Sequence, residues 1–355
     1  MYQPKELYSL FKKHKIEEKL STSLEESVRI VPSSIECLKS TQRSSIYKLQ
    51  VKSSKSNYPI IFKIYSSTNY KNEIEINLYT KAYPFLESFL PKIHVVESFI
   101  NGGETWIFME CLQQIRGQLT FTPKHFDYII PSISQLHAHT YEDNFHQEES
   151  TFQPWLPIYD SKKMRTRRRK SISKTMVFLQ DAAKDKHLKR IIAPRYKALM
   201  KTYDRGPDFF PELMESGSSI THGDLHMQNI CSKDVSKERA WDIQLIDWEG
   251  AKFASGWFDM IVLVEILLGF RKDWQPHAEE IRTHCINVYA NEMQKRGIQF
   301  DEKPLDLYKM AYLQRTLEKG LQTQLRRLFD NRGGELLLYH LTKIETWGKD
   351  LGIYK

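Results

Sequence analysis

Residues 220–230 read Ile-Thr-His222-Gly-Asp224-Leu-His-Met-Gln-Asn229-Ile, and residues 245–250 read Leu-Ile-Asp247-Trp-Glu-Gly. The first stretch carries a carboxylate, Asp224, and an amide, Asn229, five residues further on. A loop can aim two side chains so spaced into one pocket. The apolar run Ile243-Gln244-Leu245-Ile246 then delivers a second acid, Asp247, at the end of a short strand. Phosphoryl transfer asks little covalent chemistry of a protein. It needs a carboxylate to orient an attacking hydroxyl and accept its proton, and oxygen ligands to hold magnesium on the phosphates. On this reading Asp224 is the base and Asn229 and Asp247 are the metal ligands. His222 orients the loop rather than titrating in the reaction.

Working outward, the chain upstream reads as strands with one helix among them. Residues 33–40, 44–53 and 58–65 are alternating, β-branched runs, and Ile60, Phe62 and Ile64 share one face of the third. Residues 69–83 have helical spacing at Ile74, Leu78 and Ala82, with Pro84 closing the helix. Two further strands, 93–100 and 104–112, flank Asn101-Gly102-Gly103, a hairpin signal because such turns favour positive φ. Downstream the pattern turns helical, interrupted by strand-like pieces only near Ile220 and Ile243–Ile246. The expectation is a bilobal α+β chain, with a small β-rich lobe at 1–111 and a larger helical lobe at 112–355.

The octapeptide HGDLHMQN followed by IDWE resembles the aminoglycoside phosphotransferase and choline kinase superfamily, small-molecule kinases that share the protein-kinase fold. Further pieces agree in order. Lys63 sits mid-strand where the family places the lysine that contacts the nucleotide phosphates. Glu73 lies on the next helix where its partner glutamate belongs, with Glu75 as rival. Two residues apart on a helix, they point about 200° apart, so only one faces the strand. Met109–Leu112 resembles the hinge that meets adenine, which implies contacts at Glu110 and Leu112. Residues 134–137 resemble the family's L-H helix, and Gly256–Asp259 resemble the element whose aspartate braces the catalytic loop. The resemblance implies ATP and Mg²⁺ as cofactors, with Ser44 near the phosphates. The loop Lys39–Ser45 departs from the protein-kinase pattern by having no glycine. No G-x-x-x-x-G-K-[ST] occurs, which excludes a P-loop kinase.

Only eleven residues separate Asp247 from Asp259, and no A-P-E follows. There is no room for a peptide-docking segment, so the expected acceptor is a hydroxyl on a small molecule such as an aminoglycoside, choline, another amino alcohol or a sugar. Acids and tyrosines after Trp274, including Glu279, Glu280, Glu292, Glu318, Glu335, Tyr289, Tyr308 and Tyr312, are the groups a cationic acceptor would need. A kinase-shaped protein without catalysis is the alternative, and the intact set Lys63, Asp224, Asn229 and Asp247 speaks against it. Composition is that of a globular protein, 41% hydrophobic and 27% charged. The net charge of +8 is concentrated at Lys162–Lys170, KKMRTRRRK, which reads as a solvated helix start or a docking patch for an anion; no nucleic-acid motif accompanies it. Four scattered cysteines and an N-terminus without an apolar signal core point to a reducing, cytoplasmic setting. No apolar run is long enough to span a bilayer.

Overall fold

The computed structural model describes residues 2–66, 70–100 and 102–355, the side chains of Tyr70, Lys71 and Phe99 excepted. Asn69 and Asn101, which open the expected helix and turn, lie outside the described residues. The chain forms two compact units. One comprises Met1–Thr120, Met227–Lys237 and Trp241–Gly250, and the other Phe121–His226, Glu238–Ala240 and Ala251–Lys355. This is the expected α+β architecture, one unit β-rich and the other mainly helical.

The β-rich unit is built on β1 (Arg29–Ile30), β2 (Glu36–Ser40), β3 (Ser44–Lys52), β4 (Asn57–Tyr65), β5 (Ile93–Ile100) and β6 (Glu104–Glu110). Their order is β1-β3-β4-β6-β5, with β2 also on β3, and every pairing is antiparallel. Strand alternation gives the sheet two different faces. One carries Tyr47, Leu49, Ile60, Phe62, Ile64, Trp106 and Phe108, all buried. Two helices that the sequence reading left unassigned, α1 (Pro4–Lys13) and α2 (Ile16–Leu24), cover this face. Phe11 of α1 packs edge-on against Phe62 at 5.2 Å and Phe108 at 5.5 Å.

The opposite face carries Lys63, central in the sheet because β4 is flanked by β3 and β6. After β4 runs α3 (Tyr70–Thr80), which buries Ile74 and Leu78 as its spacing predicts, while Ile76 is only half-buried. The helix ends before Pro84, which instead starts a short turn of helix at Tyr83–Leu86. The β5–β6 turn has Gly102 and Gly103 at φ 86° and 104°. β8 (Ile230–Cys231) and β9 (Gln244–Leu245) form a small hairpin in this unit.

In the helical unit, β7 (Ser219–Thr221) pairs with β10 (Lys252–Ala254), and the loop that begins at His222 follows β7. The helices Phe126–His139 and Trp257–Phe270 supply the residues that hold this loop. Among the described residues no helix is long and apolar enough to cross a membrane.

Candidate active site

Lys63 donates to Glu75 Oε1 at 2.7 Å, and the two side chains are 8% and 4% exposed. Glu73, the first expectation for this partner, is exposed instead. Helix geometry decides the matter, since α3 turns Ile74, Glu75 and Leu78 inward and Glu73 out. The Tyr79 hydroxyl donates to the same Glu75 oxygen at 3.0 Å, so the carboxylate has two buried donors.

The β8–β9 hairpin brings Asn229 and Asp247 to the same end. Ile230 faces Leu245 across the ladder, and the Ile246 N–H donates to the Asn229 carbonyl at 3.0 Å. Asp247, the next residue, has a φ of 67°, a left-handed conformation that aspartate tolerates better than most side chains. α3 packs against Trp248–Gly250, which ties the metal-binding candidates to the helix bearing Glu75. One carboxylate and one amide oxygen make a hard, all-oxygen donor set suited to magnesium rather than zinc. Among the described residues no group of three or more His, Cys, Asp or Glu converges on a metal-sized site.

The glycine-free turn between β2 and β3 orders itself through Thr41. Its hydroxyl accepts from the N–H of Arg43 and of Ser44, each at 3.2 Å. None of its described residues has positive φ, so glycine is not required there. Ser44 opens β3 beside this turn. Asn72 of α3 donates to the Arg43 carbonyl at 3.0 Å, and Arg43 pairs with Glu249 at 3.7 Å. The sequence reading passed over these contacts; the Thr-x-x-Ser spacing was the available signal. At the end of β6, Glu110 pairs with Lys233 at 2.5 Å, and Leu112 follows half-buried.

In the helical unit a buried carboxylate holds the loop His222–Asp224. Asp259 accepts from the His222 N–H at 2.7 Å and the Gly223 N–H at 2.8 Å. His137 Nε2 lies 3.3 Å from the same carboxylate, and its Nδ1 lies 2.9 Å from the Tyr289 hydroxyl. Burial pushes the Asp259 carboxyl up, but His137, then His222 and the Gly223 amide, outweigh it and hold the group below its usual range. Gly223 sits at φ 79°, where a β-carbon would be strained. His222 is fully buried, and its Nδ1 accepts from the Asp224 N–H at 3.3 Å. Asp224 itself is about half exposed, with His226 Nε2 3.5 Å from its carboxylate. The hydrogen bond from His226 is the main influence holding its carboxyl below the ordinary value, so it is ionised at neutral pH.

The ecdysteroid kinase-like family model matches residues 30–299, a span that includes Lys63, the loop His222–Asp224, Asn229 and Asp247. The chain belongs to this family. Its fold is shared with solved small-molecule kinases. Plasmodium vivax ethanolamine kinase aligns over 98% of this chain and 94% of its own, at 16% identity and a TM-score of 0.52. Spectinomycin phosphotransferase, in an AMP-bound complex, aligns over 92% and 98%, at 12% identity and a TM-score of 0.50. Both lie in the aminoglycoside phosphotransferase and choline kinase superfamily that the motifs resemble. No curated protein matches the sequence at a significant level.

In this ecdysteroid kinase-like chain most of the groups expected to meet a cationic acceptor, the exposed Glu280 and Glu335 apart, are engaged in the helical unit itself. Tyr289, Tyr308 and Tyr312 are buried, with their hydroxyls on His137, Glu265 (2.8 Å) and His340 (2.6 Å). Glu279 pairs with Arg282 at 2.7 Å, and Glu292 with Arg296 at 2.6 Å. Glu318 lies 3.3 Å from Arg168 Nε and accepts from Gln314 at 2.7 Å. The basic run Lys162–Lys170 begins the helix Lys162–Lys184, yet it is not uniformly solvated. Arg168 is 4% exposed, stacks on Tyr159 and pairs with Asp208. It is a structural cation there, not part of a docking patch.

Proposed function

We propose that the chain is an ATP- and Mg²⁺-dependent phosphotransferase acting on a hydroxyl group of a small molecule. The buried Lys63–Glu75 ion pair carries this reading. Removing both charges from water is costly unless their geometry is used. A lysine fixed on a sheet face beside a magnesium-type donor pair is suited to a polyphosphate.

In the β-rich unit Lys63 would bind the α- and β-phosphates, the backbone of Glu110–Leu112 would hold the base, and the Ser44 turn would serve the phosphates. Asn229 and Asp247 are the residues that would hold magnesium, whose charge offsets that of the triphosphate. In the helical unit Asp224 would accept a hydrogen bond from the acceptor hydroxyl and take its proton as that oxygen bonds to the γ-phosphorus, while the bond from the γ-phosphorus to the β,γ-bridging oxygen breaks and ADP leaves. His222 and Asp259 keep the loop in place. The acceptors named for the family and its fold relatives, an ecdysteroid, ethanolamine and spectinomycin, form the first panel to assay.

The test joins nucleotide binding to turnover. Millimolar ATP with magnesium raises the melting temperature by several degrees, because a ligand of the folded state stabilises it. Asp224→Asn retains that shift but lowers kcat by about 10²–10⁴, the contribution of a general base. Asp247→Asn loses the magnesium-dependent part. Absence of any shift with ATP or GTP would refute the reading.

A further inference from the structure

Two cations beside the catalytic loop have no part in this mechanism. Lys252 stands on β10 opposite Thr221, the residue before His222, and the Thr221 hydroxyl donates to the Lys252 carbonyl at 3.0 Å. Arg315 closes the helix Pro304–Arg315, its Nη1 3.5 Å from the Gly223 carbonyl. Immediately after it the chain widens into a π-helical stretch, Thr316–Gly320, a geometry frequent at functional sites. Both cationic side chains are partly buried.

Among the described residues neither forms an ion pair with an acid. Among the described residues Lys252 Nζ makes no ion pair or hydrogen bond, and meets only the Phe258 ring, 5.8 Å from its centroid. Among the described residues Arg315 makes only the long contact to Gly223. The acids whose charge they feel are Asp224, Asp259 and Glu318. Asp259 is occupied by His222, Gly223 and His137. Glu318 is occupied by Tyr159, Gln314 and Arg168. Asp224 is engaged by His226. Burial, and then the charge of Arg315, bring the Lys252 ammonium down to about 8, so it remains largely protonated at neutral pH. Two desolvated like charges without a partner destabilise a fold, and such arrangements concentrate where a ligand supplies the missing charge.

We propose that Lys252 and Arg315 form an oxyanion site of the helical unit that receives a carboxylate, sulfate or phosphate group carried by the hydroxyl acceptor and disfavours acceptors bearing an ammonium group. The site is assembled wholly from the unit that holds Asp224. Arg315 lies beyond residue 299, where the family match ends, so this half of the site is outside what the family model covers. The assignment of the occupant to an acceptor rests on the phosphotransferase reading; anion binding does not.

The test begins with anion binding alone. The full chain without nucleotide is titrated calorimetrically with inorganic phosphate at constant ionic strength. Binding is expected to survive Lys63→Met, which removes the cation of the nucleotide side. It should weaken at least 10-fold in Lys252→Met and in Arg315→Met, and stay within about 3-fold in Lys252→Arg. Unchanged affinity in both methionine variants, or loss in Lys63→Met alone, overturns the site whatever the ATP–magnesium melting shift shows. The second arm compares ATP turnover on hydroxy acids and sugar phosphates with turnover on ethanolamine, choline and spectinomycin. The anionic group is expected to have at least 10-fold higher kcat/KM, an advantage lost in the two methionine variants. Preference for the cationic group, retained in those variants, overturns the acceptor assignment.

Discussion

Removing the carboxylate of Glu75 would leave the Lys63 ammonium buried without its partner at 2.7 Å. Breaking a buried pair from one side costs more than the pair itself contributes, typically about 3–5 kcal/mol. Glu75→Gln keeps one acceptor and is expected to lose about 2 kcal/mol in urea unfolding, together with most of the ATP-induced melting shift. Glu73→Gln, on the exposed side of α3, should stay within about 0.5 kcal/mol. The pair of variants separates the two glutamates by measurement. At this scale the placement of Lys63 in mid-strand and of Asp247 just after a short strand was legible in the sequence, because each has a fixed neighbour in a short motif, and the structure places them so. The choice between Glu73 and Glu75 was not, since helical phase relative to a strand is set by packing of Ile74 and Leu78. Lys252 and Arg315 were illegible for a similar reason. Their significance lies in what fails to surround them, and only tertiary placement shows that.

The loop His222–Asp224 is held as an element by a carboxylate from a neighbouring helix. Asp259 gathers two backbone N–H groups and His137 within one buried cluster. Asp259→Ala strands those donors, each costing about 1–3 kcal/mol when left unsatisfied. The expected outcome is a loss of about 3 kcal/mol or more in unfolding free energy and a fall in kcat, with the ATP-induced shift of the β-rich unit retained. A normal kcat in a stably folded Asp259→Ala would refute the bracing role. Strands β2 to β6 were legible from alternation, as was α3 from its spacing. The first two helices were not read, although Leu7 and Phe11, then Ile16 and Leu20, repeat at the four-residue interval of a helix face. The split of the basic run into a buried Arg168 and exposed neighbours was beyond sequence reading, because composition does not show which arginine meets Asp208.

For the molecule as a whole, stability should depend on pH through two depressed bases. His340, beside the Tyr312 hydroxyl, is brought down to about 4 by burial, and Lys252 to about 8. A base with a lowered folded pKa binds protons more weakly folded than unfolded, so stability rises with pH across its window. Those windows run from about 4 to 6.5 for His340 and from about 8 to 10.5 for Lys252. Melting curves should therefore show stability falling as pH drops from 6.5 to 4, less so in His340→Gln. Lys252→Met should melt about 2–4 °C higher than the parent at pH 7, with the gap closing near pH 10. An unchanged pH profile in both variants would refute this account. The two-part α+β character was legible from the change of periodicity along the chain. The return of Met227–Lys237 and Trp241–Gly250 to the β-rich unit was not, because it depends on long-range pairing that no local pattern encodes.

Inheritance and water draw the edge of this protein in different places. The family match opens at residue 30, yet the cluster around Phe62, Trp106 and Phe108 is closed by Leu7, Phe11, Ile16 and Leu20. A chain trimmed to the inherited boundary would keep every motif and uncover a greasy sheet surface, the kind that drives molecules to stick to one another. Size-exclusion chromatography should find the full chain well behaved and a version starting at Arg29 self-associated. If the shortened chain elutes as a stable, unassociated species, the first two helices are ornament rather than wall.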